Sequence, residues 1–141
     1  MGRLKKQMMK LNDEIGIYSC ARINSQRCKN KMLRSFGDTS LLDIFLSKLK
    51  ALGPNTFFSG YEPIFREKCD EYGIEFIQRS EESSNAEEHK IIYSFLKEAK
   101  YKYLLSVNPC LPFLKVSTIN NFLEKSRELR EPAFSVHIKN N

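Results

Sequence analysis

Between Ala21 and Arg34 the chain reads Ala21-Arg22-Ile23-Asn24-Ser25-Gln26-Arg27-Cys28-Lys29-Asn30-Lys31-Met32-Leu33-Arg34, with five cations and no acid anywhere between Glu14 and Asp38. Guanidinium groups bond phosphate oxygens in bidentate fashion and an ammonium adds a mobile point charge, each charge-assisted bond contributing ~1.5–3 kcal/mol. Such a loop suits the gripping of a polyphosphate by side chains. It contains no Gly-x-Gly-x-x-Gly and no Gly-Lys-Ser/Thr, so neither a dinucleotide fingerprint nor a P-loop is present. The competing account is a solvated surface loop, as most charge runs are. Acids are normally interspersed on such a surface, and here they are missing.

The elements that must position this loop can be read around it. Ile15 to Cys20 is a short apolar run with β-branched and aromatic residues, the pattern of a buried strand. Asp38-Thr39-Ser40 supplies capping residues for a helix whose apolar face runs from Leu41 to Leu52 and stops at Gly53-Pro54. A strand over Thr56–Phe58, a helix over Glu62–Tyr72 ended by Gly73, and a strand over Ile74–Ile77 continue the alternation. Residues 79–85 read as a polar loop, Ala86 to Lys100 as a helix, and Tyr103 to Val107 as the next buried strand. A helix from about Ser117 through Leu129 and a last strand, Ala133 to Ile138, complete the series. Strands separated by helices imply an α/β fold with a mostly parallel sheet covered by helices on both faces. Ligands of such sheets bind beyond the carboxyl ends of the strands, which is where the basic loop falls.

Composition agrees with one globular domain: 141 residues, 41% apolar and 28% charged, with a formal charge of +6. The charge is uneven. Residues 1–34 carry nine cations against Asp13 and Glu14, a net of +7, which leaves −1 for the rest. The expected organisation is a basic arm over 1–14 and an α/β domain over 15–141. Nucleic-acid binders spread their cations over a face or a long stripe, so no nucleic-acid partner is expected. No signal-peptide or membrane-span pattern occurs, and no membrane partner is expected. Cys20, Cys28, Cys69 and Cys110 form no CxxC pair and read as reduced thiols of a cytoplasmic protein. His89 and His137 stand alone.

The order of residues in the basic loop goes further than its composition. Cys20-Ala21-Arg22-x-Asn24-Ser25-x-Arg27-x-x-x-Lys31-x-Leu33 resembles the N-terminal signature of the sugar-acid cytidylyltransferases, usually Pro-Ala-Arg-x-x-Ser-x-Arg-x-x-x-Lys, a family that includes the acylneuraminate and ketodeoxyoctonate cytidylyltransferases. Asp38 to Leu42 is similar to the family's lead into its first helix. Tyr72-Gly73-Ile74-Glu75 with Arg79 is similar to its Tyr-Gly-x-Glu and Arg-Pro segment, and Val107 to Phe113 to its Pro-containing sugar loop. The resemblance implies a Rossmann-like nucleotide-diphospho-sugar transferase fold. It also implies transfer of CMP from CTP to an acidic keto-sugar of the sialic acid kind, with release of pyrophosphate, in surface polysaccharide synthesis. Arg22 and Lys31 would be its catalytic residues. Together with Arg27 they would hold the triphosphate and stabilise departing pyrophosphate. Ala21, Asn24, Ser25 and Arg79 would contact CTP, and Asn108 would face the sugar acid. Each of the last three has a plainer reading: Ser25 as a local cap, Arg79 as a surface residue, and Asn108 as a turn former before Pro109. Lys29 and Arg34, outside the signature, read as solvated.

Magnesium is implied too, and so is a homodimer. The family's members are commonly longer, however, and the part that supplies a dimer arm and a late aspartate pair has no counterpart here, so a truncated domain is expected. Cys110 stands at the metal-binding Asp of the ketodeoxyoctonate pattern, which leaves the magnesium ligands unassigned. The alternatives are a non-catalytic nucleotide-binding remnant of the family and a ketodeoxyoctonate cytidylyltransferase-like enzyme.

Overall fold

The computed structural model of the chain describes residues 2–3, 14–24, 27–129 and 131–135. The apolar run Ile15–Cys20 forms β1, the centre of a parallel sheet. A two-residue ribbon follows it, β2 (Ser35–Phe36) antiparallel to β3 (Thr39–Ser40), turned at Gly37 with φ +66°. Helix α1 (Leu41–Leu52) starts at Ser40, whose Oγ accepts from the Asp43 N–H, and ends at Gly53. Next come β4 (Thr56–Gly60), α2 (Pro63–Tyr72) with left-handed Gly73 as its stop, and β5 (Glu75–Gln78). Two short helices, α3 (Glu81–Asn85) and α4 (His89–Ile92), and a 3-10 turn over Ser94–Glu98 lead to β6 (Tyr103–Ser106) and then α5 (Val116–Leu129).

The four strands are ordered β5-β4-β1-β6, every pair parallel. From β1 the chain steps one way through β4 to β5, then crosses back to place β6 on the other side of β1. That reversal makes the carboxyl ends of β1 and β6 the switch point at which such sheets bind ligands. Alternation along the strands serves both faces. Ile17 and Phe58 pack with Leu42, Phe45, Leu46 and Leu49 of α1, Phe65 and Cys69 of α2, and Ile119 and Leu123 of α5. Tyr18 and Phe57 point the other way, stacked at 5.2 Å, and meet Ile77 and Phe95. Helices therefore cover both faces, as expected.

Three expectations need correction. Residues 81–85 are helical, not loop, because the Ser80 Oγ caps the turn by accepting from the Ser83 N–H at 3.0 Å. The expected helix over Ala86–Lys100 is instead one turn of α-helix and a 3-10 turn. The Ser94 Oγ donates to the Ile91 carbonyl and the Ser83 Oγ to the Ile92 carbonyl, the acceptors a continuing α-helix would offer to residues 95 and 96. The Leu96 N–H turns to the Tyr93 carbonyl instead. Of the last expected strand, residues 133–135 are extended without strand pairing and 136–138 lie outside the described residues, as does nearly all of the arm assigned to 1–14.

Candidate functional site

The loop between β1 and β2 is tied down at its root and closed at its neck. The Ala21 N–H donates to the Ser59 carbonyl at the end of β4, and the Asn30 N–H donates to the Ile23 carbonyl. Asn30 takes the left-handed conformation, φ 55°, that asparagine tolerates better than most residues. The Leu33 and Arg34 N–H groups then close on the Asn30 carbonyl. With residues 23 and 30 bonded, Arg22 and Lys31 leave the same neck. Both are half-buried, while Asn24 and Arg27 are exposed farther out; Ser25 lies outside the described residues.

Arg79 is no surface residue. Only 5% exposed, it sends Nη2 to the Ala21 carbonyl at 2.8 Å. Burial draws the pKa of its guanidinium below the usual arginine value; the charges of Cys20 and Glu62 oppose that shift and that of Arg22 adds to it. The group remains protonated at any ordinary pH. Arg22 and Arg79 thus feel each other's charge at the carboxyl end of β1, an arrangement that an anion relieves. Burial also pushes the Cys20 thiol up, with Arg79 pulling it back down. Among the described residues no carboxylate forms an ion pair with Arg22, Arg27, Lys29 or Lys31; the ion pairs present involve Lys68 and Lys100. Arg34 reaches the Cys28 Sγ at 3.5 Å.

On the β6 side, the Val107 N–H donates to the Tyr18 carbonyl, continuing the sheet past its last strand residue. Asn108 is exposed, and its Oδ1 accepts from the Cys110 N–H at 2.9 Å, a turn-forming bond. Lys48 of α1 fixes the rest of this loop by donating to the Leu111 and Pro112 carbonyls at 2.9 and 2.8 Å, and burial lowers its pKa. Ala21, Arg22, Arg79 and Lys31 are therefore gathered around β1. Asn108 stands on the neighbouring strand end, with no hydrogen bond to the basic loop among the described residues. As for magnesium, no group of three or more His, Cys, Asp or Glu side chains gathers among the described residues. They assemble no metal cage of their own.

Sequence reasoning missed Glu62. Its Oε1 accepts from the Ile23 N–H at 3.2 Å, so it holds the basic loop from β4's far end. The available signal was a long acid at a helix cap, where a short polar residue is normal.

A parallel sheet with a topological switch at β1 defines a doubly wound α/β protein, and the loop beyond that strand carries cations that form no ion pair among the described residues. A family model described as cytidylyltransferase matches residues 20–140, and the chain belongs to that family. Two solved structures share its fold. A cytidylyltransferase from Leptospira borgpetersenii serovar Hardjo-bovis (strain JB197) superposes with a TM-score of 0.65 at 19% identity, over 79% of this chain and 48% of that one. A CMP:2-keto-3-deoxy-manno-octonic acid synthetase complexed with CTP gives 0.67 at 12% identity, over 82% and 48%. The chain thus spans about half the length of these neighbours. No curated protein sequence matches it.

Proposed function

We propose that this domain binds CTP at the carboxyl end of β1 and takes part in transferring CMP to an acidic keto-sugar of the sialic acid kind, with release of pyrophosphate, for surface polysaccharide synthesis. The observation that carries the reading is the loop rooted at the switch point, acid-free in sequence and with no ion pair to its cations among the described residues. In the reaction the anomeric hydroxyl oxygen of the sugar bonds to the α-phosphorus, its proton passing to water, as the bond from that phosphorus to the bridging oxygen of the β-phosphate breaks. Charge accumulates on the departing pyrophosphate. Arg22 and Lys31, leaving one neck, neutralise that charge, and Arg27 helps them hold the triphosphate. Asn24 and Ser25 bond phosphate or nucleotide. Arg79 holds the Ala21 carbonyl and lends its positive charge to the nucleotide, and Asn108 faces the sugar. Magnesium, implied by the family resemblance, would neutralise charge on the phosphates, and no described residue is assigned to hold it.

The test is pyrophosphate release from CTP in the presence of a panel of sialic and ketodeoxyoctonic acids. Release dependent on one sugar acid and absent with UTP supports the reading. CTP binding without turnover on any sugar favours a nucleotide-binding remnant of the family.

A further inference from the structure

Glu62 is the carboxylate beside the basic loop, and the proposed function gives it no task. It stands at the cap position before α2, with extended backbone (φ −70°, ψ 140°), yet its side chain makes no bond to its own helix. Oε1 instead accepts from the Ile23 N–H, 39 residues away in sequence. Oε2 is shut off from solvent and bonds no partner among the described residues. Burying a carboxylate oxygen costs free energy, so this placement favours something other than helix capping.

What it favours becomes clear from the peptides that flank Arg22. The Ala21 carbonyl, in the peptide before Arg22, accepts from Arg79 Nη2. The Ile23 N–H, in the peptide after it, donates to Glu62. Both peptide planes around the Arg22 Cα are therefore held by side chains from neighbouring strand ends, one at the end of β5 and one past β4. With its backbone dihedrals fixed in this way, Arg22 has only side-chain torsions to lose when it meets an anion. Preorganisation of this kind tightens binding by lowering the ordering cost.

We propose that Glu62 is the positioning residue for Arg22: together with Arg79 it clamps the backbone on either side of Arg22 and so aims that guanidinium at the triphosphate. The proposal rests on the CTP reading above. It also makes a statement about the free protein, that the Ile23 amide is protected by Glu62.

The experiment combines CTP titration with amide exchange in Glu62→Ala and Glu62→Gln, each made in the parent and in an Arg22→Ala background. Loss of a charge-assisted acceptor predicts about tenfold weaker CTP binding for Glu62→Ala in the parent, and no further loss once Arg22 is gone. Glu62→Gln keeps the Oε1 acceptor and should stay within about threefold of the parent. The Ile23 amide should exchange faster in Glu62→Ala than in the parent. Equal losses in both backgrounds, or no loss of CTP affinity in the parent, overturn the proposal, because Glu62 would then not act through Arg22. Should the parent protein bind no CTP, the reading of the site fails on that ground, and an unchanged Ile23 exchange rate separately overturns the clamp. If Glu62→Ala does not fold, the Gln variant and its Ile23 exchange rate decide the matter: an amide as poorly protected as in unfolded chain contradicts a clamp that Gln can maintain.

Discussion

Arg22 and Lys31 stood out in the sequence because their chemistry is local: a run of cations without acids needs no knowledge of the fold to be noticed. Glu62 and Arg79 were harder to place because what each does depends on a partner far along the chain, Ile23 and Ala21 respectively. Asn108 fits its plainer reading, since its Oδ1 makes a turn bond with the Cys110 N–H. Asp43 supplies a different residue-level prediction. Burial pushes its carboxyl up, but hydrogen bonds from Ser40 and Tyr72 and the charge of Lys68 outweigh that, and its pKa lies below the usual carboxylate value. The Ser40 Oγ donates to it at 2.6 Å and the Tyr72 hydroxyl at 3.0 Å, joining the start of α1 to the end of α2. A depressed folded-state pKa contributes stability above about pH 4 and loses it as the pH falls through the folded value. Asp43→Asn should therefore cost about 1 kcal/mol of stability at neutral pH and lower the melting temperature by roughly 4 °C. Thermal unfolding across a pH series checks this: the gap between parent and variant should shrink below about pH 4.

At the scale of elements, the helices bounded by strong signals were legible almost to the residue. Ser40 and Gly53 bracket α1, and Pro63 and Gly73 bracket α2, because caps and left-handed stops are encoded next to the ends they fix. The segment between β5 and β6 was not. Its apolar spacing suits a single helix, and it is broken by serine hydroxyls bonding backbone carbonyls, one of them from Ser83 on a different turn of chain. The β2–β3 ribbon, two residues to a strand, is too short to leave a periodic pattern. Within β1, Gly16 shows how an element constrains its neighbour. A Cβ there would collide with the ring of Tyr101, which stacks on Phe57 at 5.8 Å and is not free to swing away. Gly16→Ala should cost about 1–3 kcal/mol in stability. Denaturant unfolding should also show part of that loss recovered when Tyr101→Leu is added, whereas simple additivity would locate the strain elsewhere.

For the whole molecule, strand alternation and charge asymmetry conveyed the architecture: a parallel sheet layered by helices, with five cations and no acid on the loop at one strand's carboxyl end. Strand order was not legible, since it depends on which side of β1 the chain returns to after β5, and no local residue records that. The order β5-β4-β1-β6 puts the basic loop at the switch point of the sheet, the position where such sheets bind ligands. Family membership and about half-length coverage of its structural neighbours make nucleotide binding the property to examine in this chain before turnover. Calorimetric titration of CTP into the parent protein and into Arg22→Ala, Lys31→Ala and Lys97→Ala, the last an exposed lysine of the 3-10 turn, is the most direct examination. CTP should bind the parent and the Lys97 variant alike, and the Arg22 and Lys31 variants about tenfold or more weakly. No binding to the parent, or an equal loss in all three variants, would contradict a triphosphate site on the β1 loop.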